Sequence, residues 1–299
     1  MKEVNFYTSD GVELNGILYE ENNKPQNKSV ILSVHGMTSN CFKKRNVVIA
    51  NKVKEKKFDY FTFNTRGSDI VKYITKKKDG NITKEFGGTA YEDVLEGKYD
   101  ICGAIDKLIE MGYTSIYLLG HSLGCTKIVY TYNNLLDNND ERLKYIKGII
   151  LLSMVDIPSA IKIFLGERYQ DYIKLALDKQ KQNKELEIMP NDSFINPISV
   201  KSFLRYALYN EEIDFININK DPNLVTLNKI KIPLFMRWGN INELIIEDAK
   251  IYSEKINKSI TNKNKDINYI DGADHGYHGK EEQLANQIWV FLGTLLKNI

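Results

Sequence analysis

Short apolar runs alternate with longer stretches in which apolar residues recur every three or four positions. Runs of this length, bounded by turn-forming or polar residues, are typical of buried strands, and the three-and-four spacing is typical of helices that bury one face. Strands that alternate with helices predict a mostly parallel sheet covered by helices on both faces. The predicted strands are 30–34, 60–64, 115–119, 146–154, 232–239 and 267–270.

The amino-terminal segment 4–19 has a different pattern. It contains two alternating runs joined by Asp10-Gly11, which predicts a β-hairpin. A polar loop is predicted at 24–27. The charged run at 76–81 predicts a second exposed loop.

A long segment between two predicted strands lacks any obvious strand of its own. It covers 156–228 and predicts a helical cap inserted into a core that comprises 1–155 and 229–299. Its aromatic side chains either line a substrate chamber or pack into the cap's own small core. These are Phe164, Tyr169, Tyr172, Phe194, Phe203, Tyr206 and Phe215.

A helix is predicted ahead of the strand at 115–119. Thr89 and Glu92 have the spacing of a capping box, and an apolar stripe continues from there until Gly112. This helix leads directly into the strand, so the segment that follows the strand lies at the carboxyl edge of the sheet.

The segment that follows this strand, 120–124, reads Gly-His-Ser-Leu-Gly and precedes an amphipathic helix. A serine hydroxyl is a poor nucleophile unless a tight turn exposes it beside a general base and donors for the developing oxyanion. Gly120 and Gly124 lack a Cβ atom, so the chain can turn sharply between strand and helix and project the hydroxyl. The pattern predicts that Ser122 is a nucleophile.

Four histidines compete for the role of general base. His275 follows the last predicted strand, which places it at the edge of the sheet where the serine also emerges. His35, in a possible oxyanion loop, and His121, with its side chain directed away from the serine, are predicted to be structural. His278 is predicted to be a solvated loop residue. The pair at 275 and 278 has no obvious third ligand, so neither a metal nor a cofactor is predicted.

Composition narrows the class of protein further. The 299 residues include 41 basic and 39 acidic side chains, and a net charge of +2 gives no reason to expect nucleic-acid binding. The longest apolar runs are too short to span a membrane, and residues 1–6 lack the apolar part of a signal peptide, so we expect a cytoplasmic protein. The oligomeric state stays open. Cys41, Cys102 and Cys125 have no CxxC spacing and are interpreted as reduced thiols.

These motifs together resemble the α/β-hydrolase superfamily, in which the serine precedes the acid and the histidine along the chain. The resemblance implies an α/β-hydrolase fold with an inserted cap, with Ser122 as nucleophile and His275 as base. It also implies an oxyanion hole formed by the backbone N–H groups of Met37 and Leu123. The motifs that carry the resemblance are His-Gly-Met at 35–37, Asn-Thr-Arg-Gly at 64–67, the segment 120–124, and Gly-Ala-Asp-His at 272–275.

The acid of the expected triad departs from the family pattern. Similar hydrolases read Gly-x-x-Asp after the penultimate strand, whereas 239–242 ends in an amide and Glu243 follows. A glutamate is one methylene longer than an aspartate, so Glu243 is predicted to reach His275 and hold its tautomer. Asp156, just past the preceding strand, is the alternative acid. A third possibility is that Asn242 orients the histidine without a charge.

The capped layout and the opening around Asp10-Gly11 are similar to the serine aminopeptidase and monoacylglycerol lipase-like branch. The loop ending at Glu243 is similar to that of fusarinine-type siderophore esterases. The hypothesis is a hydrolase that cleaves a small-molecule carboxylic ester or acyl substrate through an acyl-enzyme. Peptidase, thioesterase or acyltransferase activity with the same triad remains an alternative, as does a non-catalytic protein of this fold that binds a ligand under the cap.

Overall fold

The computed structural model describes residues 1–20, 28–210, 212–245 and 247–296. The polar loop predicted at 24–27 therefore lies outside the described residues. Strands in these ranges are β1 (Lys2–Tyr7), β2 (Glu13–Tyr19), β3 (Ser29–Val34), β4 (Phe58–Phe63), β5 (Lys72–Lys78), β6 (Asn81–Gly87), β7 (Ser115–His121), β8 (Ile146–Leu152), β9 (Leu234–Gly239) and β10 (Lys265–Ile270).

The helices follow the strands in the alternating order that the sequence predicts. None of the helices in the described parts of the chain is long and apolar enough to cross a bilayer. The α-helices are α1 (Lys44–Val53), α2 (Gly97–Glu110), α3 (Leu123–Asp137), α4 (Ile157–Leu165), α5 (Tyr169–Lys181), α6 (Val200–Ala207), α7 (Ala249–Ser259) and α8 (Glu281–Leu296).

Eight strands form one sheet in the order β1-β2-β4-β3-β7-β8-β9-β10. From β4 to β10 every neighbouring pair is parallel, while β1 and β2 form an antiparallel hairpin at one edge and β2 joins β4 antiparallel. Apolar side chains of α2, α3 and α7 pack on one face of this sheet, and those of α1 and α8 pack on the other. The predicted α/β class, with a mostly parallel sheet covered on both faces, is confirmed.

Helices α4, α5 and α6 lie between β8 and β9, in the segment predicted to form a cap. Their apolar side chains share a third cluster that also contains Leu123, the first residue of α3. Phe203 and Tyr206 are fully buried in this cluster, whereas Phe164 is exposed. Phe203 and Tyr206 thus pack within the apolar cluster of 156–228 itself, whereas the buried Phe215 packs into the main core of the sheet.

The charged run at 76–81 is not a loop, and this prediction was wrong. It forms the end of a β-hairpin in which β5 pairs antiparallel with β6, from Lys72 opposite Gly87 to Lys78 opposite Asn81. Only Ile74 of this hairpin belongs to the main core. Because so few of its residues are buried, the hairpin carries little of the alternating apolar signal by which a strand is recognised.

The predicted capping box at Thr89 is also wrong. The helical segment begins later, with a 3-10 turn at Val94–Glu96 that Asp93 caps, and α2 starts at Gly97. Thr89 Oγ1 instead accepts a hydrogen bond from the Thr38 N–H at 2.8 Å and donates to the Gly67 carbonyl at 3.1 Å. The residues of the apparent box are used in tertiary contacts, and local spacing alone does not reveal this.

Glu92, the other residue of that apparent box, connects α6 to α3, one of the helices that cover the sheet. Its buried carboxylate forms an ion pair with Lys127 of α3, and both side chains are almost fully excluded from solvent. The Tyr206 hydroxyl donates to Glu92 Oε2 at 3.0 Å, and the Ser202 hydroxyl donates to the Glu92 backbone carbonyl at 2.9 Å. Helix α6 of the cap is therefore bonded to the same acidic residue that neutralises Lys127.

Candidate active site

Ser122 occupies a sharp turn between β7 and α3. Its backbone has φ 54° and ψ −125°, a combination that non-glycine residues rarely adopt and that costs on the order of 1–3 kcal/mol. A Cβ atom at Gly120 would lie 2.6 Å from the Cys125 nitrogen, and one at Gly124 would lie 2.3 Å from the Val34 carbonyl oxygen. Both glycines are therefore required by close backbone contacts, and the Ser122 N–H is fixed by a 2.9 Å hydrogen bond to the Leu152 carbonyl.

His275 follows β10 and is hydrogen-bonded through Nδ1 to Glu243 Oε1. A carboxylate only accepts, so Nδ1 carries the proton and Nε2 is left as an acceptor. Ser122 and His275 line the same cavity, which has a volume of about 460 Å³. Within the described residues, no hydrogen bond joins the Ser122 hydroxyl to His275, although both side chains line this cavity.

The carboxylate of Glu243 is surrounded by donors. The Ser153 hydroxyl lies 2.7 Å from Oε2 and the Gly239 N–H donates to the same oxygen at 3.0 Å, while the Leu244 N–H donates to Oε1 at 3.0 Å. Burial acts to raise the pKa of Glu243, but the hydrogen bonds from His275, Ser153 and Gly239 outweigh it and the pKa is lowered. Glu243 therefore remains ionised beside the imidazole.

The backbone explains why residue 243, and not 242, faces the histidine. Asn242 has φ 50°, in the left-handed region that asparagine tolerates better than most residues, and its side chain is exposed. This conformation turns Glu243 inward with its side chain only 2% exposed. The acid stands one residue later than in similar hydrolases, and the left-handed backbone conformation of Asn242 accommodates this shift.

The other candidate acids are engaged elsewhere. Asp156 caps α4 by accepting from the Ser159 N–H at 3.2 Å. Asp271 accepts from the Asn240 amide at 2.7 Å, and Asp274 bonds to His278 Nδ1 at 2.8 Å. Across the described parts of the chain, Glu243 is the carboxylate that the structure brings to His275.

Two further histidines hold the loops of the site. His35 Nδ1 donates to the Gly36 carbonyl at 2.8 Å and Nε2 accepts from the Thr65 N–H at 3.1 Å. Burial, with the nearby Lys127 charge, lowers the pKa of His35 to about 3, so the ring is neutral. His121 Nε2 lies 2.7 Å from the His275 carbonyl oxygen, and burial holds the pKa of His121 well below its usual value. His278 is exposed.

The two residues predicted to supply oxyanion donors lie in segments next to Ser122, because Leu123 follows it in the chain and Met37 lies in the loop after β3. A Cβ atom on Gly36 would lie only 2.8 Å from the Ser122 Cβ, so the loop that contains Met37 approaches the serine closely. Leu123 belongs to the third apolar cluster, and the side chain of Met37 packs against that cluster. Within the described residues, the N–H groups of Met37 and Leu123 have no hydrogen-bond acceptor.

Three residues around the site escaped the sequence predictions. Ser153, with φ 49°, directly follows β8 and bonds to Glu243, and its position after a parallel strand was the available signal. Tyr277 lies 3.0 Å from the Ser153 hydroxyl and donates to the Arg237 carbonyl at 2.8 Å. Arg45 lines the cavity and donates to the Gly276 carbonyl at 3.1 Å. Nothing in the local sequence distinguishes Arg45 from any other arginine of an amphipathic helix.

The three thiols are free, and Cys41 and Cys125 are buried. Burial raises the pKa of Cys41 to about 11 and that of Cys102 to about 11, and it raises the pKa of Cys125 further. Thiolate formation is disfavoured at all three positions, as expected of thiols that fill space.

Solved structures of similar architecture span almost the whole chain. Est1E from Butyrivibrio proteoclasticus, solved with ferulic acid bound, is 17% identical, with a TM-score of 0.66 over 98% of this chain and 99% of its own. An esterase from Pyrococcus furiosus, Pf2001, is 17% identical, with a TM-score of 0.57 over 98% and 90%. Mouse alpha/beta hydrolase domain-containing protein 10 is 12% identical, with a TM-score of 0.58 over 100% and 99%. The fold is therefore that of the α/β-hydrolases.

Sequence comparison adds a family match. A family model described as "Protein of unknown function (DUF1749)" matches residues 81–293, which include Ser122, Glu243 and His275. No curated protein matches the chain.

Proposed function

The chain belongs to the family described as "Protein of unknown function (DUF1749)", and we propose that it is a serine hydrolase that cleaves carboxylic esters. The observation that carries the proposal is the hydrogen bond between Glu243 and His275 beside the cavity that Ser122 also lines. An ionised acid, an imidazole with a free Nε2 and a serine on a strained turn are the parts that acyl transfer requires.

In the proposed reaction, Ser122 Oγ attacks the ester carbonyl while His275 Nε2 accepts the hydroxyl proton. The N–H groups of Met37 and Leu123 stabilise the oxyanion. His275 then protonates the leaving alcohol as the C–O bond breaks, which leaves an acyl group on Ser122. Water attacks this acyl-enzyme with His275 again as base, and the carboxylic acid is released. Glu243 holds the Nδ1–H tautomer and stabilises the imidazolium in both steps.

Ester substrates are favoured over amides because solved structures of the same fold are described as esterases. Pf2001 and EaEST from Exiguobacterium antarcticum are both described as esterases, and both share the fold over nearly the full chain. We further propose that 156–228 acts as a cap that shapes the substrate site, since its apolar cluster encloses the side chains of Met37 and Leu123.

The test is covalent labelling with a fluorophosphonate, which reacts with activated serines, followed by mass spectrometry of the modified peptide. We expect an adduct on Ser122 in the native chain and none in Ser122→Ala. Hydrolysis of p-nitrophenyl acetate and butyrate is measured in parallel. The control is Ser253→Ala, because Ser253 is buried in α7 and its hydroxyl donates to the Lys250 carbonyl of its own helix.

Folded protein that forms no adduct and releases no p-nitrophenolate would overturn the proposal. If an adduct forms on Ser122 but peptides or thioesters are cleaved instead of esters, Ser122 remains the proposed nucleophile. The proposed substrate class would then change from esters to peptides or thioesters.

A further inference from the structure

One wall of the catalytic cavity is formed by three consecutive basic residues. Lys43, Lys44 and Arg45 all line the cavity that contains Ser122 and His275. Lys43 precedes α1, and Lys44 and Arg45 begin it. The substrate would therefore bind beside a concentration of positive charge.

Arg45 is unusual because it is 93% buried without a carboxylate partner. Its exposure is 7%, and within the described residues no acidic side chain forms a salt bridge with it. Nη1 donates to the Gly276 carbonyl at 3.1 Å, but Nε is buried and has no acceptor. Burial lowers the pKa of Arg45, which records the cost of holding this cation away from water. A guanidinium in this state gains free energy from any anion that reaches the cavity.

Other ionisable side chains that line the cavity contact one another. Lys44 forms a salt bridge with Glu281 at 3.2 Å, and His278 Nδ1 lies 2.8 Å from Asp274. Lys43 is exposed, and in the described residues it has no ion-pair partner. Within the described residues, Arg45 and Lys43 are thus the two lysine or arginine side chains lining this cavity that form no ion pair with a carboxylate, although the charge of Glu281 acts on Arg45 from a greater distance.

The start of α1 adds to the positive electrostatic potential of this cavity wall. Lys43 makes no side-chain cap, and the first turn of the helix contains no acidic residue. The positive end of the helix dipole, which favours an anion, is therefore left without a negative side chain.

We propose that this wall binds a carboxylate carried by the substrate, so that the preferred substrates are esters that bear a free carboxylate rather than neutral esters. The inference rests on the proposed esterase function and deepens it by naming the chemical class of the substrate. Arg45 supplies a fixed charge and Lys43 a mobile one, and together they replace the hydration that the carboxylate loses on entering.

The kinetic test uses two chromogenic esters that differ only in charge. These are the p-nitrophenyl monoester of adipic acid, which carries a free carboxylate, and p-nitrophenyl methyl adipate, in which that carboxylate is capped. The quantity measured is the ratio of kcat/KM for the charged ester to kcat/KM for the neutral ester. We expect a ratio of about ten or more at low ionic strength, from one charge-assisted contact in a partly buried site. The ratio should fall as salt is added.

Two variants and one control locate the effect. Lys43→Gln should lower the ratio by about threefold, as expected of an exposed charge, and Arg45→Gln by about tenfold or more. Arg45→Lys retains the charge and should recover part of the ratio if Arg45→Gln is folded. Lys52→Gln, at the other end of α1 and paired with Glu55 at 2.9 Å, is the matched control and should leave the ratio unchanged.

A binding measurement separates this inference from the proposed function. Calorimetric titration of Ser122→Ala with monomethyl adipate and dimethyl adipate requires no turnover. Tighter binding of the charged ester, reduced about threefold in Ser122→Ala/Lys43→Gln, would support the carboxylate site even if no ester were hydrolysed. A kinetic ratio near one in the native chain together with equal binding of the two esters would overturn it, whatever the outcome of the labelling experiment.

Discussion

The Ser153 hydroxyl lies 2.7 Å from Glu243 Oε2, on the side of the carboxylate opposite the oxygen that bonds to His275. Ser153 therefore fixes the rotation of the carboxylate and supports its charge. We expect Ser153→Ala to lower kcat about tenfold with little change in KM, because a hydrogen bond to a charged group contributes about 1.5–3 kcal/mol and the substrate does not touch it. Steady-state kinetics with p-nitrophenyl butyrate measure both constants.

A loss of stability alone would not produce this split between kcat and KM. A shift of the acidic limb of the pH profile should accompany it, since Glu243 loses one of the donors that lower its pKa. If kcat is unchanged in folded Ser153→Ala, the contact does not position the acid.

The identity of the acid is tested by two amide substitutions. Glu243→Gln should reduce kcat by about 10⁴, because an amide cannot hold the imidazolium as a carboxylate does. Asp156→Asn should leave kcat unchanged and retain the helix cap, since asparagine caps a helix as well as aspartate. The reverse result, with turnover lost in Asp156→Asn and kept in Glu243→Gln, would assign the role to Asp156.

The approach of Gly36 to Ser122 gives a steric prediction. The new methyl group of Gly36→Ala would lie 2.8 Å from the Ser122 Cβ, so the loop must move away from the serine. We expect kcat to fall by about 10², comparable to the loss of an oxyanion donor.

The control for this steric effect is Gly293→Ala in α8, where a Cβ meets only the flexible end of Lys56. It should keep full activity and gain up to about 1 kcal/mol of stability from helix propensity. Full activity in Gly36→Ala would show that the loop tolerates the displacement.

Asp214 provides a prediction about stability and pH. Burial, and then the nearby Asp156 charge, raise the pKa of Asp214 from 3.8 to about 7, although the Asn210 N–H donates to it at 2.6 Å. The folded chain thus holds this proton more tightly than the unfolded chain, so the contribution of Asp214 to stability is full below about pH 4 and is lost as the pH rises to about 7.

Asp214→Asn removes this titration. The difference in Tm, variant minus native, should therefore be more positive at pH 8 than at pH 5 by thermal denaturation. Asp171→Asn, at an exposed position of α5, controls for replacing an aspartate in the cap. A difference in Tm that is the same at both pH values for Asp214→Asn would contradict the raised pKa.

The sequence predicted the parts of the molecule that depend on local pattern. The parallel sheet follows from short apolar runs, and the turn at Ser122 follows from two glycines at fixed spacing. The position of His275 follows from the rule that the carboxyl ends of parallel strands share an edge. The triad and the oxyanion donors remain proposals about chemistry, although the structure does bring Glu243 to His275.

The parts that could not be predicted depend on contacts between distant segments. Ser153 and Glu243 are 90 residues apart, and neither stands in a local motif that names the other. Among the described residues, Arg45 is distinguished by a buried Nε without an acceptor and by the lack of an ion-pair partner. The capping box wrongly predicted at Thr89 shows that a local motif can also mislead. Glu92 has the spacing of a helix cap, but it pairs with Lys127 and Tyr206 instead.

The bonds around Glu92 constrain how molecules enter and leave. Lifting the cap as a lid would pull Tyr206 and Ser202 away from Glu92 and expose the buried Lys127 ion pair to water, at a cost of several kcal/mol in each cycle. We therefore expect turnover with the cap seated. The route for substrate and product then runs past the first turn of α1 and the loop of His278, so that the rim of the cavity, rather than a hinge, decides which molecules pass.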